Sequence, residues 1–153
     1  MVINFKKLIL SVLIALGVGV AGNLLGGGSE IYSSIVKPSF AVPSIVFPIV
    51  WTILYILMGI SAYIIWTSES ENKDIAIGLY AVQLVINALW PLFFFRYQMF
   101  FVSFLWILLL IAVVIAMVIA FYKIKPIAAY LQIPYLAWLI FASILNFAIY
   151  KLN

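Results

Sequence analysis

Five apolar runs, each long enough to cross a lipid bilayer and none with a charge near its middle, limit what this chain can fold into. A hydrocarbon core about 30 Å thick takes about 20 apolar residues of helix. Inside it, backbone N–H and C=O groups must be satisfied within the protein, so the runs are expected to be helices. They cover about residues 8–25, 44–66, 75–95, 99–122 and 126–150. The expected architecture is therefore an all-α membrane protein: a five-transmembrane-helix bundle, one domain over 1–153, with a long proline-rich loop between helices one and two. The chain is 69% hydrophobic and 8% charged, whereas a soluble domain is about 45–50% apolar and about 25% charged. Lipid must solvate the excess. The basic start and the small residues at Ala21-Gly22 also suit a signal peptide. The first run is long for one, however, and four more follow, so it is read as span one.

Charge and missing side chains exclude several functions. The net charge is +4, but the basic residues lie singly or in pairs at helix ends. They read as interfacial anchors, not as a nucleic-acid surface. Lys6, Lys7, Lys73, Lys123 and Lys125 fall on one side of the membrane and Lys37, Arg96 and Lys151 on the other, which favours an N-terminus inside. The chain has no cysteine and no histidine. Disulfides, Cys/His zinc sites, His- or Cys-ligated haem and histidine acid–base catalysis are thereby removed. No metal and no cofactor is expected. No span carries a central acid or base, which argues against a proton pump or an ion-coupled carrier.

What the spans carry instead is aromatic and neutral polar. Pro38, Pro43 and Pro48 recur every five residues and make the loop before span two a stiff, extended lid. Behind it Trp51, Thr52, Tyr55, Met58 and Ala62 are expected on one helix face. Span three has Tyr80, Gln83, Asn87 and Trp90, and span five Tyr135, Trp138, Ala142 and Asn146, at helical spacing. Trp66 and Trp106 suit an interfacial belt, whereas Trp51, Trp90 and Trp138 look inward with polar partners. Asn23 and Asn146 read as helix–helix glue, and Gln83 and Asn87 as the lining of a cavity. Indole, phenol and carboxamide groups together suit a flat, largely apolar ligand.

Small residues form ridges in span one, Ser11-Ala15-Gly19 and Gly22-Gly26, at which helices can approach closely. The same stretch matches G-x-G-x-x-G at 17–22, without the preceding strand or following acid that a dinucleotide site needs. Ser29 is placed to cap a short helix over 30–36. Pro91 is expected to kink the end of span three, Pro126 to open span five, and Pro134 to lie inside it.

Three segments carry a family resemblance: KPSFAVPSIVFPIVWTILYILMG at 37–59, QLVINALW at 83–90 and PYLAWLIFASILN at 134–146. The sequence resembles the translocator protein family, also called the tryptophan-rich sensory proteins or peripheral-type benzodiazepine receptors. That resemblance implies a multi-pass protein of a bacterial cell membrane, with a pocket beneath the first loop. The pocket would take porphyrin-like tetrapyrroles and isoquinoline-carboxamide or benzodiazepine ligands. Carried onto this chain, the ligand-binding residues would be Tyr32, Trp51, Asn87, Trp90, Trp138 and Ala142. Where the family commonly has a loop proline this chain has Val42, and Ile31 stands where a tryptophan is frequent.

Three functions follow. The first is a receptor, sensor or carrier for such ligands. The second is light-dependent oxidative degradation of protoporphyrin, in which Trp51 and Trp138 would be the reacting pair. The third is a structural or partner-binding membrane protein. Its span-one ridges, with Ala76, Gly78 and Tyr80, would support a homodimer.

Overall fold

The computed structural model describes residues 2–28 and 30–153. Its helices are α1 (Phe5–Gly26), α2 (Val46–Trp66), α3 (Lys73–Pro91), α4 (Phe100–Ile124), α5 (Pro126–Leu131) and α6 (Ile133–Leu152). A 3-10 turn, Glu30–Ser33, lies in the first loop, and one π-helical turn, Leu92–Arg96, continues α3. These elements make five membrane-spanning helices, Phe5–Gly26, Val46–Trp66, Lys73–Arg96, Phe100–Ile124 and Pro126–Leu152. The chain is a multi-pass integral membrane protein. Residue 29, expected as a helix cap, lies outside the described residues.

Local chemistry sets the ends of α1. The Asn4 side chain accepts from the Lys7 N–H at 3.2 Å, the usual N-cap bond. Gly27, at φ 76°, turns the chain out of the helix, and the Gly27 and Gly28 N–H groups bond back to Leu24 and Asn23. The Arg96 guanidinium then donates to the carbonyls of Leu24 and Leu25, a cation at the negative end of the helix. That contact ties the end of span three to the end of span one.

Close packing explains the small residues. Ser11 Oγ donates to the Gly59 carbonyl at 2.7 Å, and a Cβ on Gly59 would lie 2.5 Å from Val12 Cα. Gly22 meets the backbone of Ala88, and Gly26 meets Pro91. The span-one ridges are thus used inside one protomer, against α2 and α3. Ala76 and Tyr80 are buried as well, and of the residues nominated for a homodimer face only Gly78 looks outward. The core is mainly aliphatic, from Met58 and Ile65 through Leu110, Val114 and Met117 to Leu139, with Phe121, Tyr80 and Tyr135 among it. Leu13, Val20, Val85, Ile119 and Ile140 are exposed, on the surface that lipid solvates.

The layout of the helices leaves a wedge. α1 packs on α2 and α3, α4 on α3, α5 and α6, and α2 on α5. α6 packs its backbone closely on α4, but not on α2 or α3. Aromatic side chains fill the space bounded by α2, α3 and α6.

Several expectations are corrected. Thr52 is exposed, its hydroxyl donating back to the Pro48 carbonyl at 2.6 Å, so it leaves the inward stripe. Asn23 is exposed and glues no helix. Trp106 is packing and not belt: its Nε1–H donates to the Ile86 carbonyl at 2.7 Å, and its ring tilts against Phe93. Where a kink was expected, Pro91 ends α3 and leads directly into the π turn. Span five is interrupted at Gln132, because Pro134 has no N–H for the Tyr130 carbonyl and its ring would clash there.

Candidate functional site

The deepest layer of the wedge is a hydrogen-bonded chain. Tyr55 Oη donates to Asn87 Oδ1 at 2.6 Å, and Asn87 Nδ2 donates to Tyr135 Oη at 2.7 Å. Tyr135 Oη in turn donates to Gln83 Oε1 at 2.7 Å. Four buried side chains from α2, α3 and α6 thereby satisfy one another, as buried polar groups must. Asn87 and Gln83 lie behind the aromatic rings and hold the three helices in register.

Above this floor sits the aromatic layer. Trp51 stacks on Tyr55, centroids 5.6 Å apart, and meets Tyr135 edge-on at 6.2 Å. Trp138 meets Trp51 at 6.5 Å and Phe141 at 5.4 Å. Phe47 joins the layer to the lid, 6.0 Å from Trp138 and 5.0 Å from Tyr32. On the α3 side Trp90 stacks on Phe94 at 4.7 Å. Its Nε1–H donates to Asn146 Oδ1, which also accepts from Ser103, while Asn146 Nδ2 donates to the Phe100 carbonyl. Asn146 is helix glue, as its sequence position suggested.

The structure groups the nominated residues unevenly. Tyr32, Trp90 and Ala142 line one space with Phe47, Phe94 and Asn146. Trp51 and Trp138 adjoin it through Phe47, and Asn87 is one layer deeper. The space measures about 20 Å³, room for about one water molecule. Rings fill most of the wedge, so a guest larger than a water would have to displace them. The Trp138 Nε1–H is buried with no hydrogen-bond partner among the described residues. Such a donor suits an acceptor on a guest.

The lid is pinned at several points. Tyr32 Oη donates to the Val42 carbonyl at 2.8 Å, and burial pushes this phenol's pKa up. Lys37 Nζ donates to the carbonyls of Tyr32 and Ile35 and sits 4.9 Å over the Tyr32 ring. Asn153 binds Val36 reciprocally: Oδ1 accepts from its N–H at 3.2 Å, and Nδ2 donates to its carbonyl at 2.9 Å. The sequence reading missed Phe47, Phe94 and this latch. Phe47 was findable, since it extends the Trp51–Tyr55 stripe back by four residues. The latch joins residues 117 positions apart and leaves no local signal.

Chemically the wedge offers flat π-faces, one free indole N–H and a few carboxamides. Among the described residues there is no group of His, Cys, Asp or Glu able to hold a metal ion.

The comparisons with known proteins agree on one family. The model of the TspO/MBR family matches residues 11–152. The tryptophan-rich protein TspO of Archaeoglobus fulgidus is 39% identical, over 98% of this chain and 99% of its own length. The translocator protein of Sus scrofa is 37% identical, over 86% of this chain and 79% of its own. The tryptophan-rich sensory protein of Cereibacter sphaeroides is 33% identical, over 95% and 91%.

Proposed function

This chain belongs to the TspO/MBR family, and on that premise we propose that it is a membrane receptor or carrier for porphyrin-like tetrapyrroles. Isoquinoline-carboxamide and benzodiazepine-type molecules would compete for the same place. The observation that carries the reading is the meeting of Trp51 and Trp138 in the wedge between α2 and α6, under a pinned lid. The guest enters by lifting Phe47 and the lid, then stacks among the indoles. Lipid stays outside. The Trp138 N–H meets an acceptor on its edge.

Titrating purified protein with protoporphyrin tests this directly. Tryptophan fluorescence should be quenched at micromolar ligand, and an isoquinoline carboxamide should reverse the quenching. Quenching that persists unchanged in a Trp51→Phe/Trp138→Phe double variant removes the wedge as the site.

A second reading rests on the same pair. Edge-on contact at 6.5 Å lets two oxidisable indoles flank a photosensitising guest, which suits light-dependent degradation of protoporphyrin. Illuminating the complex decides it: porphyrin absorbance decaying no faster than that of free porphyrin leaves a receptor or carrier only.

A further inference from the structure

Away from the aromatic wedge, nearer the N-terminal side, the core holds polar atoms that the protein itself does not satisfy. Gln132 is wholly buried, yet neither its Nε2 nor its Oε1 has a hydrogen-bond partner among the described residues. Tyr80 is 6% exposed, and its Oη is unpartnered in the same way.

These groups lie toward the same side of one buried hydrogen bond. α3 and α6 belong to spans three and five and run in the same direction. Tyr80 lies three residues before Gln83, and Gln132 three before Tyr135. Gln83 and Tyr135 are bonded to each other at 2.7 Å. Three helical residues rise about 4.5 Å, so Tyr80 lies about that far from the level of the bond, and Gln132, at the break just before α6, is displaced toward the same side. Gln132 also falls at the break between α5 and α6.

We propose that Tyr80 and Gln132 form a buried hydration site, holding ordered water at the break in span five and extending the Tyr55–Asn87–Tyr135–Gln83 chain toward the N-terminal side of the membrane. Neighbouring polar groups are already engaged: Ser61 Oγ donates to the Ala128 carbonyl at 2.7 Å, and Tyr135 and Asn87 are bonded within their own chain. No central span position is charged, so nothing there would balance an ion. A carboxamide offers both donor and acceptor and a phenol either one, which is the set a buried water uses. A dry carboxamide in the core would be a standing cost that an apolar side chain avoids.

The test is an experimental structure of the full chain at a resolution that shows ordered water, paired with thermal unfolding of Gln132→Met. Water density is expected within about 2.7–3.2 Å of Tyr80 Oη or of the Gln132 carboxamide. Gln132→Met should lose that density and unfold a few degrees lower, while protoporphyrin quenching stays unchanged. Two results overturn the proposal. One is a map with the carboxamide bonded to protein groups and no water. The other is a variant that unfolds at the same or a higher temperature, as removal of a dry polar group would give. If Gln132→Met fails to assemble, the wild-type map decides alone.

Discussion

Trp51 and Trp138 meet at 88°, ring centroids 6.5 Å apart, although the backbones of the helices that carry them do not pack closely. Large rings bridge a distance that aliphatic side chains would leave empty or collapse. Edge-to-face pairs are worth about 0.5–1.5 kcal/mol beyond the area they bury. That suffices to order the wedge and is small enough for a flat guest to replace.

Replacing both indoles should therefore weaken binding without unfolding the bundle. Trp51→Phe/Trp138→Phe is expected to reduce protoporphyrin affinity at least about tenfold, equivalent to about 1.4 kcal/mol. The porphyrin's own absorbance shift gives a readout that does not depend on which of the five tryptophans remain to be quenched. Unaltered affinity would place the guest elsewhere.

Gly59 packs directly against the backbone of span one at Ser11 and Val12. An alanine there would put its Cβ 2.5 Å from Val12 Cα, with backbone and not a mobile side chain in the way. Overpacking of this kind costs about 1–3 kcal/mol, so Gly59→Ala should unfold at a lower temperature. Gly78→Ala is the control. It meets nothing within 4 Å and should gain up to about 1 kcal/mol of helix propensity.

Asn153 fastens the lid through its two bonds to Val36. Each such bond contributes about 0.5–1.5 kcal/mol net, with solvent exposure favouring the low end. Asn153→Ala should speed ligand entry and raise amide hydrogen exchange over 31–43, leaving the spans protected. Exchange confined to the helix ends, with entry unchanged, would show that the loop is held by Tyr32 and Lys37 alone.

Tyr32 gives the lid a pH dependence. Burial raises its phenol above the ordinary value of 10.0, so the folded chain holds this proton more tightly than the unfolded chain does. The lid contact is then fully present below pH 10.0 and is lost as pH rises through the raised value. Ligand entry should accelerate over that alkaline window in the natural chain. In Tyr32→Phe, which lacks the bond to Val42, entry should be fast at every pH.

How much of this could be read from the sequence follows from the range over which each feature is set. The five spans were legible because bilayer thickness dictates the length of an apolar run. The inward positions of Trp51, Trp90 and Trp138 were legible because a helix repeats every 3.6 residues. Thr52 was misplaced for the same geometric reason: a residue adjacent to Trp51 is turned about 100° around the helix, and here that means lipid. Pro134 was legible as a residue inside span five, but the break at Gln132 that its missing N–H and its ring impose was not drawn from it. Asn87 and Gln83 were read as the lining of a cavity, whereas the tertiary arrangement sets them one layer deeper, partnered by Tyr55 and Tyr135. Closure of the wedge by Phe47 and Phe94 depends on side-chain packing that no periodicity encodes.

The Asn153–Val36 clasp has a mechanical consequence. It couples the last turn of α6, the helix that carries Trp138, to the outer strap of the chain. A body wedged against that indole would push on the same helix that holds the strap. If the proposed guest binds there, the clasp gives its occupancy a direct mechanical route to the water-facing rim.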